Sequence, residues 1–185
     1  MKIIKTLAAT AFASFALTAT AFSDGHSVDV GGAAMFNDKN IIENAVNSPI
    51  HTTLVAAVKA AGLVETLSGE GPFTVFAPVD TAFAALPEGT VDTLLKPENK
   101  GTLQKVLTSH VVAGDIKAAD LVGLIKKHGG YVNITTVSGD VITARMDSKG
   151  VYIFDESGGV SRVTQADVNQ SNGVIHVVNK VMLPK

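Results

Sequence analysis

Two histidines and two aspartates have side chains that could carry out chemistry in this chain: His110, His176, Asp80 and Asp167. A histidine beside a carboxylate can act as a general base, and with a serine it can activate a nucleophile. No cysteine and no G-x-S-x-G motif is present. Nucleophilic catalysis would therefore need a Ser-His-Asp set that is brought together only by folding. Neither histidine has another ligand residue at a spacing such as His-x-x-x-His, so we expect no metal, and no other cofactor is indicated.

His110 follows Leu103, Val106 and Leu107 at the spacing of one helical face. A histidine on such an apolar stripe is more often buried and hydrogen-bonded than exposed, so we predict that His110 lies in the core. The alternative is a periplasmic small-molecule or polymer binding module, or a hydrolase, that uses an exposed His110 with a carboxylate folded close to it. His176 alternates with Ile175 and Val177 and could face either side of a strand.

Asp80 lies in "GPFTVFAPVDTAF", residues 71 to 83. Phe73 to Phe76 is a buried strand candidate, Pro78 cannot continue a sheet ladder, and a helix is predicted to begin at Asp80. A carboxylate at that position can accept hydrogen bonds from the free N–H groups of the first turn. We therefore interpret Asp80 as the cap of the helix that it begins, because no histidine or second carboxylate lies nearby in sequence to make it a catalytic acid.

The elements that position these residues change in character at Tyr131. Before it, helices are predicted from Ser48 as N-cap to Gly62, past Pro97, and around Leu121. After it, short β-rich runs alternate with Gly and Asp turns, which predicts an antiparallel meander. The order favours an α+β fold, with a helical N-terminal half packed on an antiparallel β wedge or sandwich.

The first residues have the layout of a secretory signal peptide, in which Lys2 and Lys5 precede an apolar run and small residues follow. We expect a signal peptide over residues 1–23, a flexible leader over 24–39 and one domain over 40–185. The apolar run is too short to span a membrane. The product is therefore expected to be exported, either periplasmic or secreted.

Composition excludes some partners. Without Lys2 and Lys5, 13 of the 15 basic residues remain against 17 acidic ones, a formal net charge of −4. A mildly acidic chain with 5% aromatic residues argues against nucleic acid as a partner. With no cysteine, stability must come from a packed core.

Three segments resemble the fasciclin (FAS1) domain family. "GPFTVFAPVDTAF" and "SNGVIHVVNKVMLP" resemble its two conserved boxes, and "VLTSHVVAGDI" resembles the segment that carries its Tyr-His motif. They occur in the family's order and span residues 71 to 184. The resemblance implies a wedge of β-strands with several helices that acts in adhesion rather than in catalysis.

The resemblance also implies site residues. The Asp-Ile pair through which animal members bind integrins falls on Asp167 and Val168, and the histidine of the Tyr-His motif falls on His110, with Ser109 in place of the tyrosine. The partner is carried over only as a protein or polysaccharide surface ligand, with weak self-association as a further expectation. Asp167 could equally cap the turn in "ADVNQ". In the boxes, Asp80 and the turn dipeptide Asn172-Gly173 are interpreted as structural.

Overall fold

Seven α-helices and nine strands form in the computed structural model, which describes residues 26–185. The helices are α1 (Ile41–Ala45), α2 (Thr52–Ala61), α3 (Val64–Ser68), α4 (Asp80–Ala84), α5 (Thr90–Leu94), α6 (Lys100–Thr108) and α7 (Ala118–Lys127). The strands are β1 (Ser27–Val30), β2 (Ala33–Phe36), β3 (Phe73–Pro78), β4 (Val111–Ala113), β5 (Tyr131–Thr135), β6 (Val141–Asp147), β7 (Gly150–Phe154), β8 (Val160–Gln170) and β9 (Gly173–Val178). The predicted α+β class is confirmed.

A seven-stranded mixed sheet has the order β4-β3-β9-β8-β7-β6-β5. Strands β5 to β9 form the predicted antiparallel meander, whereas β3 and β9 are parallel, with Val75 opposite Ile175. The two conserved boxes are thus hydrogen-bonded neighbours. Strand β8 has register shifts between Val163 and Val168, and it pairs with β7 at one end and with β9 at the other.

The helix around Leu54 begins later than predicted. Ser48 does not cap it, because the Ser48 hydroxyl lies 2.8 Å from Nδ1 of His51 and α2 starts at Thr52. Its end at Gly62 is as predicted, since this residue has the left-handed φ of 71° that ends many helices.

The predicted flexible leader is wrong for its described part. Residues 27 to 36 form the hairpin β1–β2, in which Val30 and Met35 are almost completely buried in the main core. The side chain of Asn44 fixes the second strand by bonding both the N–H and the carbonyl of Phe36, at 2.9 and 2.7 Å. Four-residue strands are too short to show periodicity, so the tertiary contacts that order them could not be read from the sequence. The expected signal peptide lies outside the described residues.

Two apolar clusters stabilise the fold. The larger lies between the N-terminal helices and the strands β3 and β9, and the smaller lies between α7 and the inner face of β5, β6 and β7. Along β6, Ile142 and Ala144 are buried while Val141 and Arg145 are exposed. This alternation means that the meander has one face in the core and the other in solvent.

Candidate functional site

The Asp80 carboxylate caps α2, a different helix from the one that Asp80 begins. Its Oδ1 accepts the backbone N–H of Thr53 at 2.8 Å, and its Oδ2 accepts the hydroxyl of Thr52 at 2.7 Å. Burial acts to raise the pKa of Asp80, but the hydrogen bonds from Thr53 and Thr52 together lower it below its usual value. The predicted chemistry of helix capping is present, and the structure corrects the helix on which it acts.

His110 is a core residue with 2% exposure, so the surface contact that the family resemblance implies is closed to it. Its Nε2 accepts the N–H of Met182 at 2.9 Å, which places the proton on Nδ1, where it is donated to the carbonyl of Val106 at 2.7 Å. Burial lowers the pKa of His110 to about 4, and the bond to Val106 and the charge of Asp155 offset only part of this effect. Both ring nitrogens are occupied, so His110 is a neutral clamp on the C-terminal segment.

Asp167 caps a helix from a distance, as Asp80 does. It lies at a φ of 58° in the irregular part of β8, and its Oδ1 accepts the N–H of Ala118, the first residue of α7, at 2.7 Å. The adjacent Val168 is completely buried, so it offers no surface to a partner. Of the two interpretations of Asp167, capping therefore has a contact in the structure, although the capped element is α7 rather than the local turn.

His176, on β9, links Asp167 of β8 to the segment before α7. Its Nε2 donates to the carbonyl of Ile116 at 2.8 Å, and its Nδ1 accepts the N–H of Asp167 at 3.3 Å. Burial lowers the pKa of His176, against the opposing effects of the Ile116 bond and the Asp167 charge. Both histidines are therefore buried and bonded to backbone. Within residues 26–185, no three His, Cys, Asp or Glu side chains converge to hold a metal ion.

Asn172 and Gly173 join the two boxes to the helices. The Asn172 side chain accepts the N–H of Ile41 at 3.0 Å and donates to the carbonyls of Leu67 and Gly69, both at 2.9 Å. A Cβ at Gly173 would lie 2.0 Å from the Phe73 carbonyl oxygen, so only glycine allows β9 to approach β3 there. These residues line a polar depression of about 570 Å³ together with Asn40, Glu70, Asp115 and Ser171, among others.

The outer face of the meander carries a set of aromatic and basic side chains that was not predicted from the sequence. The exposed sides of β5, β6, β7 and β8 carry both tyrosines and both arginines of the sequence, Tyr131, Arg145, Tyr152 and Arg162. The alternation of exposed and buried positions could have placed each of them on the outer side of its strand. Their alignment across four strands depends on the pairing register, which the sequence alone does not give.

A scan against family models matches the Fasciclin domain over residues 49–184. Among curated proteins, the chain is 48% identical over 158 residues to the protein sll1483 of Synechocystis sp., covering 85% of this chain and 81% of that one. It is 29% identical over 208 residues to the immunogenic protein MPB70 of Mycobacterium bovis, covering 100% of this chain and 99% of the other. A third relative, the transforming growth factor-beta-induced protein ig-h3 of Sus scrofa, is 36% identical over 136 residues, which are 71% of this chain and 17% of that protein.

A similar fold occurs in a solved structure, a FAS1 domain pair from the insect cell adhesion molecule fasciclin I. The TM-score is 0.71 at 17% identity, and the match covers 84% of this chain and 57% of the other. At this identity the likeness shows the fold. It agrees with the family match.

Proposed function

The chain belongs to the fasciclin domain family, and from this membership we propose that it is a non-enzymatic, exported domain that mediates adhesion or another interaction at a surface. The observation that carries the proposal is that the reactive side chains are hydrogen-bonded to the protein's own backbone. His110 and His176 are bonded through both ring nitrogens, and Asp80 and Asp167 accept backbone N–H groups at helix starts. The residues that could have catalysed a reaction instead hold the fold together.

The hydrolase alternative loses its support at His110. A general base must come within hydrogen-bond reach of the proton that it removes, and both ring nitrogens of the buried His110 are already bonded to backbone groups. The charge that raises the pKa of His110 is that of Asp155, whose carboxylate already accepts the N–H groups of Gly159 and Leu183 at 2.6 and 2.9 Å. No specific observation favours this second function.

Within the proposed function, Asp167 and His110 act as positioning residues. Asp167 orients the start of α7 and the adjoining edge of the polar depression, where Lys117 forms an ion pair with Asp115 at 3.0 Å and a hydrogen bond with Asn169. His110 fixes the segment that ends the domain. Contacts with a partner fall to exposed side chains around them. The relative with the same fold is described as a cell adhesion molecule, which supports an adhesive role.

Export and localisation are part of the same proposal. Residues 1–23 have the layout of a signal peptide. No helix in the described residues 26–185 is long and apolar enough to cross a membrane. One domain gives low avidity, so we infer that the partner offers repeated sites or that the protein self-associates weakly.

Attachment of a deletion strain to a surface tests the function. We expect reduced attachment in the strain without the gene, restoration by the full chain, and no restoration by a version that lacks residues 2–23 and stays in the cytoplasm. Fractionation of the complemented strain locates the product. Equal attachment of the deletion and parent strains would refute the adhesive role.

A further inference from the structure

A ladder of alternating tyrosine and arginine side chains crosses the outer face of the meander. In the strand register, Tyr131 is opposite Arg145, Arg145 is opposite Tyr152, and Tyr152 is opposite Arg162. The sequence contains only these two tyrosines and these two arginines. We call these four residues the Tyr–Arg ladder.

The central guanidinium of the ladder is held between two aromatic rings. The guanidinium carbon of Arg145 lies 5.7 Å from the ring centroid of Tyr131 and 5.1 Å from that of Phe154. Such cation–π contacts restrict the side chain without using its hydrogen-bond donors. Less conformational freedom is therefore lost when Arg145 binds an anion.

Neither arginine of the ladder is neutralised by a carboxylate. Among the described residues, the ion pairs within 4.0 Å join Lys105 to Asp140 and Lys117 to Asp115, and neither involves a guanidinium. Arg162 uses one terminal nitrogen to donate to the carbonyl of Lys149 at 2.8 Å, which leaves its other donors available. An arginine fork without a counterion on an exposed sheet face is suited to bind a carboxylate in a bidentate manner.

The surface around the ladder is partly apolar and slightly concave. A depression of about 440 Å³ lies over β6 and β7, beside Tyr131 and Arg162, and is lined by Arg145, Met146, Asp147, Lys149, Tyr152, Phe154 and Val160. Its charged residues are two cations and one carboxylate, and Asp147 forms no ion pair within 4.0 Å among the described residues. Val160 is 36% exposed and Tyr131 is 48% exposed. Aromatic and aliphatic faces beside guanidinium groups match a ligand that has apolar ring faces and carboxylates.

The spacing of the ladder selects between polymers. Adjacent strands lie about 4.8 Å apart, so the backbone positions of the two arginines, and likewise those of the two tyrosines, are separated by about 10 Å. An extended peptide presents side chains on one face about every 7 Å, which does not match this repeat. In a polysaccharide of six-membered rings linked across the ring, each sugar extends the polymer by about one strand spacing. Every second sugar can therefore lie over an arginine.

We propose that the Tyr–Arg ladder is a binding site for an acidic polysaccharide, with uronate carboxylates on Arg145 and Arg162 and sugar rings against Tyr131 and Tyr152. This inference rests on the proposed surface-interaction function and names its partner class. The chain as a whole is acidic, with a formal net charge of −2, so a polyanion needs a local cationic site, and the two arginines of this face supply one. A long polymer also offers the repeated sites that a single domain needs.

Binding to polygalacturonate, dextran and poly-L-glutamate tests the proposal with the full chain. We expect polygalacturonate to bind in a salt-sensitive manner and dextran not to bind, since it lacks carboxylates. Arg145→Ala/Arg162→Ala should weaken polygalacturonate binding by about tenfold or more. Arg145→Lys/Arg162→Lys should weaken it less, because charge is kept while the fork is lost.

A matched control removes two positive charges elsewhere. Lys59→Ala/Lys96→Ala changes two exposed lysines on the helical side of the protein and should leave binding within about twofold. Urea unfolding of each variant shows whether the fold is intact. Tyr131→Ala/Tyr152→Ala should independently weaken polygalacturonate binding, because it removes the rings from the same face. The proposal would be overturned if the wild type failed to bind polygalacturonate. It would also be overturned if Lys59→Ala/Lys96→Ala weakened binding as much as Arg145→Ala/Arg162→Ala. Tighter binding to poly-L-glutamate would assign the ladder to an acidic protein instead.

The attachment assay separates the two proposals. If the deletion strain attaches poorly and the arginine variant restores it fully, the ladder is not the adhesive site, while the proposed function stands. If deletion has no effect on attachment, the proposed function fails whatever the ladder binds in solution.

Discussion

Oδ1 of Asp80 accepts the backbone N–H of Thr53 at 2.8 Å, so an aspartate at the start of one helix caps another helix 27 residues earlier. The backbone N–H of Asp80 in turn donates to the carbonyl of Ile50 at 2.8 Å. The first conserved box is thereby tied to α2 through both its main chain and its side chain. Asp80 therefore contributes to tertiary structure as well as to a local helix end.

Replacing Asp80 should destabilise the protein through α2. We expect Asp80→Ala to lower the free energy of unfolding by about 1 kcal/mol, because two N–H groups and a hydroxyl lose their acceptor, and Asp80→Asn to lower it less. Urea denaturation measures both. Asp92→Ala, in the exposed first turn of α5, is the matched control, and an equal effect of the two alanine variants would contradict the capping role.

The stability of the protein should fall as the pH drops below the unfolded-state pKa of histidine. The folded pKa of His110 is about 4, against the usual 6.5 of a histidine in the unfolded chain, so between these values the unfolded chain binds the extra proton. The stabilisation is complete above pH 6.5 and is lost toward pH 4, by about 1 kcal/mol per pH unit from this group. His51 and His176, whose pKa values burial also lowers, act in the same direction.

Unfolding in urea at several pH values measures this slope, and His110→Asn should reduce it. The asparagine amide can still donate to Val106, but it leaves the N–H of Met182 without an acceptor, so a lower stability at pH 7 is expected as well. An unchanged slope in the variant would show that His110 is not the titrating group.

Gly173 should tolerate no side chain. A methyl group would lie 2.0 Å from the carbonyl oxygen of Phe73, and the φ of 155° is one that other residues rarely adopt. We expect Gly173→Ala to lower the free energy of unfolding by more than about 2 kcal/mol by separating β3 from β9. Gly101→Ala is the control, since nothing lies within 4 Å of that Cβ and the helix should gain up to about 1 kcal/mol. Similar thermal midpoints for the two variants would contradict the close approach.

Substitutions at Asp167 should separate its backbone role from its side-chain role. Asparagine keeps both the acceptor for Ala118 and the tolerance of a φ of 58°, glycine keeps only the backbone freedom, and alanine keeps neither. We expect stability to decrease in that order, with a spread of about 1 to 2 kcal/mol between asparagine and alanine. If all three variants matched the wild type in thermal unfolding while attachment fell, Asp167 would be a contact residue instead.

The hairpin β1–β2 should be ordered in solution. Amide hydrogens of its inter-strand bonds are expected to exchange slowly, and Val30→Ala should lower the free energy of unfolding by about 1 kcal/mol or more, because Val30 has 0% exposure. Val28→Ala is the control, as that side chain is 37% exposed. Rapid exchange over residues 27 to 36 would restore the flexible leader that the sequence predicts.

The class of fold and the type of most elements could be predicted from the amino-acid sequence. The apolar stripe that ends at Gly62 and the turns that divide the strands after Tyr131 depend on contacts within a few residues, while β3 was recognised from its apolar run and from Pro78 at its end. Local spacing records such contacts, because helical and strand periods place neighbouring side chains on one face. The burial of His110 was also predicted, because it continues the spacing of an apolar stripe, but α6 ends at Thr108 and His110 lies beyond the helix on which that spacing placed it.

The pairs of groups that meet across the chain could not be predicted, because they depend on how the distant segments pack. Asp80 and Asp167 each cap a helix from a distant segment, and the Tyr–Arg ladder needs the register of four strands. A carboxylate binds whichever free N–H groups the fold brings near it, and a shift of one residue in strand pairing would move a side chain to the opposite face. The residue types indicated that the two aspartates could act as caps, while the packing of the core determines which helices they cap.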